Sequence, residues 1–329
     1  MNTLFFAGIA VQISALVFTA VIKDRLTALK LSQWVLILGL LISIVPTVAT
    51  LFSAGSGISA PYEWLSFDGL SGYFLFVIQL VAIPTTLYNM PYFSHYIEKN
   101  RSVTSFLVFY IILIVSSQAI VISNHAVLFL VCWEIMSISG YVAMLPEKEK
   151  EEVQTGSFYY LAASHVLIFI MYIAFFILHR ISGSWLFTDF SNTGFDTASA
   201  VLIFILSFCA FGIKAGFMPF HFWLPKAHPI APTPLSAFLS GVIIKLGIYG
   251  IMRTILFLPA LPEWTGWLVL CISMISAIFG VWYALAQHDI KRLLAYHSVE
   301  NIGIIGLGIG IGLIGSANGS DAIAVLGYG

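Results

Sequence analysis

Charge is scarce in this chain. Only 9% of its 329 residues are Asp, Glu, Lys or Arg, where soluble domains carry about 25%. Apolar residues reach 60%, and a soluble domain of that composition could not cover its own surface. Cysteine is scarce too. Cys132, Cys209 and Cys271 lie far apart in the chain, which excludes a disulfide scaffold and any paired-cysteine metal site. The formal net charge of -1 leaves no basic face for a nucleic acid. What the chain does have is a series of long apolar runs. The class that remains is all-α, a polytopic transmembrane helix bundle.

A membrane-crossing helix needs about 20 mostly apolar residues. Ten such spans are expected, at 4–22, 32–54, 69–90, 103–122, 125–145, 156–179, 199–224, 233–256, 264–286 and 292–315, and an eleventh begins at Asp321. The loops between them alternate in charge. Lys23, Arg25, Lys30, Lys99, Arg101, Lys148, Lys150, Lys226, Lys291 and Arg292 fall on one side, against Arg180 and Arg253 on the other. The positive-inside rule makes the first side cytoplasmic and places the N-terminus outside. Lys23, Arg25 and Lys30 follow the first apolar run and none precedes it, the reverse of a cleavable signal peptide. The acidic run Glu147, Glu149, Glu151, Glu152 reads as a solvated loop on the inner side.

Four charges fall inside spans: Glu134, Lys214, Lys245 and Glu300. An ionisable group in mid-span costs roughly 2.5–3.5 kcal/mol on insertion scales, so these side chains are expected to face protein or a wet cavity. They could be ion pairs that glue helices together, or snorkel to an interface, as Glu300 could from its place early in the tenth span. The functional reading rests on acid–base chemistry. Desolvation favours the neutral form of a buried amine, and a nearby carboxylate favours the charged form. A Glu that moves towards or away from a buried Lys is therefore a proton switch, and Glu134 in WEIMS is the carboxylate expected to serve Lys214.

The segment around Lys214 reads FGIKAGFMPFHFWLPKAHPIAPTP. Gly212 and Gly216 flank the Lys, and Pro219 removes a backbone donor. A helix broken at Pro219 would free carbonyls at membrane depth, which is tolerated only inside protein or beside water. A broken helix with a charge at the break marks ion pathways in transporters. A simple kink is the alternative reading of Pro219, but with Lys214 five residues before it the pathway is the favoured one. His165, His221 and His297 are candidate relays because imidazole titrates near neutrality, although each could equally be a packing residue. His125 and His288 are given no role. Gly310, Gly312 and Gly315 spell GIGLIG, but the dinucleotide fingerprint needs a strand before it. Here the glycines close an apolar span and are expected to let helices approach closely.

The string KAGFMPFHFWLPKAHPIAPTPLSAFLSGVIIKLGIYG, with WEIMSISGY before it and HDIKRLLAYHSVENIGI after it, resembles the antiporter-like membrane subunits. That family includes the proton-pumping subunits of respiratory complex I, Mrp-type cation/proton antiporters and the membrane arms of energy-converting hydrogenases. The wording is nearest to the branch of hydrogenase-4 component B and the formate-hydrogenlyase large membrane subunit. The resemblance runs from about Phe67 to the end of the chain. It implies a core of two inverted five-helix repeats, each with a broken helix. Residues 1–102 would then be an N-terminal three-helix segment, 103–256 the first repeat and 257–329 the incomplete start of the second. It also maps the fifth-helix Glu of the family to Glu134, its seventh-helix Lys to Lys214 and its eighth-helix Lys to Lys245. Glu300 and His297 fall in the H-S-V-E-N stretch typical of the hydrogenase branch. The chain stops within the eleventh span, so it is expected to be a truncated or split product, or a fragment.

The function implied is proton translocation in the membrane arm of a hydrogenase or complex-I-like oxidoreductase, as a non-catalytic, multi-pass subunit of the inner (cytoplasmic) membrane. Partner subunits would carry the electron chemistry, with no cofactor or metal expected on this chain. Protons are the expected ion, with Na⁺ as the other choice. The competing readings are an Mrp-type cation/proton antiporter subunit and a transport-incompetent structural fragment.

Overall fold

A computed structural model describes residues 2–52, 62–99 and 102–329. Arg101, one of the ten basic residues used for topology, lies outside the described residues, as do positions 53–54 of the second expected span. The helices in chain order are α1 (Asn2–Val21), α2 (Arg25–Phe52), α3 (Gly69–Glu98), α4 (Thr104–Ile122), α5 (Ala126–Ala143), α6 (Glu151–Ser182) and α7 (Phe187–Ser191). They continue with α8 (Thr197–Ala215), α9 (Leu224–Ile230), α10 (Thr233–Phe238), α11 (Ile244–Phe257), α12 (Glu263–Leu285), α13 (Ile290–Ala317) and α14 (Asp321–Tyr328). Among the described residues, ten helical segments are long and apolar enough to cross a membrane, taking α8–α9 and α10–α11 as one each. The described residues contain no strand, only an isolated bridge between Leu65 and Ser123. The polytopic helical bundle expected from the sequence is what the chain forms.

The chain divides into two compact units. The first comprises 1–161 and 230–242, the second 162–229 and 243–329. In the first unit α1 packs on α2 and α4, α3 lies against α2, α4 and α10, and α4 packs on α5. In the second, α8 packs on α11, and α13 on α12 and α14. Large apolar side chains such as Val17, Leu38, Phe169 and Ile278 remain exposed on the helix surfaces. The buried residues include many polar ones, among them Gln12, Gln79, Ser137 and Ser276. Apolar outside with polar groups inside is the arrangement of a bundle whose solvent is lipid.

Helix starts follow side-chain caps. Asp68, Asp196 and Asp289 accept from the backbone N–H of Ser71, Ser199 and Arg292 at 2.8, 3.1 and 2.8 Å, each satisfying a donor that the first turn leaves free. His125 caps α5 through Nδ1, which accepts from Val127 N–H at 3.2 Å. The ring is therefore neutral at that nitrogen, and partial burial, which lowers its pKa, favours the same form. The expected loop of acids is only half a loop. Glu147 pairs with Lys150, but Glu151 and Glu152 form the first turn of α6. Carboxylates complement the positive end of a helix, and an apolar-window reading stops short of a helix that continues past the hydrocarbon.

Asp196 gives a pH prediction. Hydrogen bonds from Ser199 hold its carboxyl below the ordinary aspartate value. The cap is therefore complete above that value and is lost as pH falls through the lowered one. As pH falls below about 4, the ordinary aspartate value, the Ser199 amide should progressively lose protection from hydrogen exchange after correction for intrinsic rate. Asp196→Asn, which caps without a charge, should show no such loss.

Candidate functional site

The seventh span is broken, and the break is built by glycine as much as by proline. α8 ends at Ala215, and Gly216 takes a left-handed φ of 85°. A Cβ there would run into the Leu224 side chain. The amides of Gly216 and Phe217 both donate to Gly212 O, at 2.9 and 3.1 Å. Pro219 caps a 3-10 turn, Phe220–Trp223, before α9 begins. The helix thus ends four residues before Pro219. A break inside a span leaves carbonyls that water cannot reach, and here the indole of Trp223 serves one of them, Nε1 donating to Ile213 O at 2.7 Å. Met218 N–H donates to Ser276 Oγ of α12 at 2.9 Å.

Lys214 sits in the last turn of α8, directly before this break. It is 1% exposed, and among the described residues it is the one Lys, Arg, Asp or Glu buried to that degree. Its Nζ donates to Ser164 Oγ of α6 at 3.0 Å and stands 5.9 Å from the centre of the Trp223 ring. Ser164 is itself buried, and His165, half-buried, follows it. A hydroxyl is an adaptable partner. It accepts from an ammonium and can rotate to donate to a neutral amine, so it serves both states of the lysine without fixing either.

Lys245 lies one residue beyond the start of α11, after a π-helical turn, Leu239–Ile243, that interrupts the eighth span. His228, 2% exposed, is close enough for the charges of both Lys245 and Lys291 to act on its ring. Lys291 Nζ donates to Pro229 O at 3.3 Å. His228 and Ser164 are not among the residues that the sequence singles out. The first was visible as a His followed by Pro229 just after the break. The second gave no signal, being one hydroxyl in an apolar helix. His221 is half-buried, its ring 6.1 Å from that of Tyr296.

His297 and Glu300 are brought together on α13, Nδ1 to Oε2 at 2.6 Å, with side chains 44% and 23% exposed. A Cβ on Gly280 of α12 would lie 2.7 Å from Glu300 N, so glycine lets the α12 backbone reach that turn. Glu134 belongs to the first unit, on α5, half-buried with Oε2 sealed from solvent. Gly310, Gly312 and Gly315 are buried within α13, not at a helix start, and a Cβ on Gly310 would lie 2.9 Å from Leu270 N. They are packing residues. Among the described residues no group of three His, Cys, Asp or Glu could hold a metal ion.

Comparison with known proteins agrees with the sequence resemblance. Residues 123–328 match the family described as NADH:quinone oxidoreductase/Mrp antiporter, TM. Hydrogenase-4 component B of Escherichia coli (strain K12) is 38% identical over 314 residues, 92% of this chain and 46% of that protein. Formate hydrogenlyase subunit 3 of the same strain is 31% identical over 307 residues, 90% of this chain and 48% of that protein. A putative antiporter subunit, mnhA2, of Staphylococcus epidermidis (strain ATCC 12228 / FDA PCI 1200) is 32% identical over 258 residues, 75% of this chain and 31% of that protein. The chain thus spans about half the length, or less, of these curated relatives. A chain of the membrane-bound sulfane sulfur reductase, an archaeal respiratory membrane complex, shares the fold, with a TM-score of 0.80 at 17% identity over 99% of this chain and 69% of that one. With more than half of its residues matched, the chain belongs to the NADH:quinone oxidoreductase/Mrp antiporter transmembrane family.

Proposed function

We propose that this chain translocates protons as a membrane subunit of a hydrogenase or complex-I-like oxidoreductase, with electron transfer carried by partner membrane and peripheral subunits. The observation that carries the reading is the buried amine of Lys214 at the helix break, 1% exposed and hydrogen-bonded to the Ser164 hydroxyl. The hydroxyl suits both states of the lysine, and in this proposal the charge state is set by a group that moves. Glu134 is that group in this proposal. Its approach favours the ammonium and its withdrawal favours release. Lys245 takes the proton onward. His165, His221 and His228 act as relays beside the two lysines, and His297–Glu300 is a further proton-holding pair on α13. Pro219 and Gly216 hold the break open for the transfer.

The same proposal includes the repeat organisation, with 103–256 as the first five-helix repeat and 257–329 opening the second. It also takes the Lys-rich loops as cytoplasmic, with the N-terminus outside the inner membrane.

The test is proton pumping by the assembled complex in proteoliposomes. Glu134→Gln should lower the protons moved per electron at least about tenfold, the scale of losing one positioned proton carrier, while electron transfer continues. Unchanged pumping would remove Glu134 from the switch. The relationship to the putative antiporter subunit favours a second reading, Na⁺/H⁺ exchange. Pumping that collapses in sodium-free buffer would support it, and pumping unaffected by sodium would leave the proton reading.

A further inference from the structure

The first unit holds a polar feature that the charged residues do not use. Gln12 of α1, Ser43 of α2, Gln79 of α3 and Gln118 of α4 are each fully buried, and their side chains close a ring. Gln12 Nε2 donates to Ser43 Oγ at 3.1 Å, and Gln118 Nε2 donates to Gln12 Oε1 at 2.7 Å. Gln79 Nε2 donates both to Ser43 Oγ and to Gln118 Oε1, each at 3.2 Å. The Ser43 proton goes to Leu40 O at 3.0 Å, which leaves its oxygen to accept from the two amides.

Further along α3, Asn89 Nδ2 donates to Gln33 Oε1 of α2 at 2.9 Å, and Tyr110 OH of α4 donates to Thr85 Oγ1 at 2.7 Å. From Gln79 to Asn89 is about 15 Å at 1.5 Å per residue. These residues are amides and hydroxyls; no carboxylate, amine, guanidinium or imidazole is among them.

Three oxygens on this column are left over. Gln79 Oε1, Thr86 Oγ1 and Asn89 Oδ1 are sealed from solvent and receive no hydrogen bond of good geometry from a described residue, although Tyr110 OH stands close to both Thr86 and Asn89. The three positions lie within about 80° on one face of α3, given 3.6 residues per turn. Turning the Asn89 amide over would only exchange an orphan oxygen for an orphan NH₂, because the other end already faces Gln33. Buried polar atoms in proteins are almost always paired, by the chain or by ordered water. The chemistry of these atoms defines what would pair them. Neutral acceptor oxygens call for a hydrogen-bond donor, and without a carboxylate nearby a cation would stay uncompensated. A small neutral donor that fits between helices is water, which needs two to four polar partners. Thr86 and Asn89, one helical turn apart, supply two.

We propose that the α1–α4 bundle binds a short file of ordered water molecules, one group at Gln79 Oε1 beside the amide ring and another at Thr86 Oγ1 and Asn89 Oδ1. The file is neutral. None of its side chains changes charge between pH about 4 and about 9, so its occupancy is independent of pH and it stores no proton. It is a hydrated element separate from the lysine route, and it does not depend on that reading.

X-ray hydroxyl-radical footprinting of the full chain in lipid nanodiscs tests this, because radicals form where water is bound and mark side chains that bulk solvent cannot reach. Tyr110 is 0% exposed, and Phe5, 1% exposed, packs on Phe6 and Phe67 and serves as the dry control. After correction for the intrinsic reactivities of the two rings, Tyr110 should be modified clearly faster than Phe5, because its ring would lie beside bound water. Asn89→Leu and the isosteric Thr86→Val should each reduce the Tyr110 rate towards the control. Thr86→Val keeps the test open if the leucine variant does not fold. A Tyr110 rate equal to that of Phe5 overturns the proposal. So does a Tyr110 rate that is high but unchanged in Thr86→Val, since the water would then not be held by these oxygens.

Discussion

Lys214→Arg is expected to abolish proton pumping in the assembled complex, although it preserves the charge. Arginine does not release its proton at any pH a protein meets. A lysine that merely pairs with a helix neighbour would tolerate the exchange, and one that gives up its proton would not. Lys214→Met removes the charge and the donor together, and it should fail to the same degree. Both should lower pumping at least roughly tenfold, a conservative bound where a positioned acid or base contributes about 10²–10⁴-fold. Subunit content and electron transfer should remain. The comparison that decides is the pair: pumping that survives in Arg and fails in Met would make Lys214 structural, and the switch assignment would fall.

The second large effect is on stability. Gly247 of α11 faces α8 at the turn that carries Lys214. A Cβ on it would lie 2.6 Å from Ala215 N and 2.7 Å from Phe211 O. Those are backbone atoms, so no side chain can turn aside to make room, and α8 itself must shift. Gly247→Val should destabilise the chain by about 1–3 kcal/mol or more, read as a fall in the thermal aggregation midpoint in detergent. Gly247→Ala should show a smaller fall. Gly194→Ala serves as the control, since nothing lies within 4 Å of a Cβ there. A Gly247→Val midpoint equal to that of the parent would mean that α8 and α11 do not approach so closely.

The parts of this molecule that depend on solvent class were legible in the residues. Ten apolar runs became ten helical segments, because in lipid each span must satisfy its own backbone and has no alternative to a helix. Lys214 was legible for the same reason in reverse: an amine within a span has to be enclosed, and it is. The place of the break was read less well. Pro219 drew attention, yet the helix stops at Gly216, whose left-handed backbone ends the ladder before the proline is reached. The π-helical turn at Leu239–Ile243 left no mark in the apolar pattern, since a shift of one hydrogen bond alters no side chain. Ser164 was illegible too. Its meaning comes from a neighbour fifty residues away in the chain, and periodicity reports only on local contacts. The glutamine ring of α1–α4 shares that cause, each amide drawing its partner from another helix.

The hydrogen bond that anchors the break also sets an order of events during synthesis. Ser164 leaves the ribosome before Lys214, so a hydroxyl for the amine is already in place when the charged turn enters the bilayer. Met218 is less fortunate. Its N–H is served by Ser276, fifty-eight residues later, which at 5–20 residues per second is a wait of roughly 3–12 s. Through that interval the nascent chain carries an amide at the break that its own later helix has not yet capped. Hydrocarbon offers that amide no partner, and slowing translation between codons 218 and 276 would lengthen the interval.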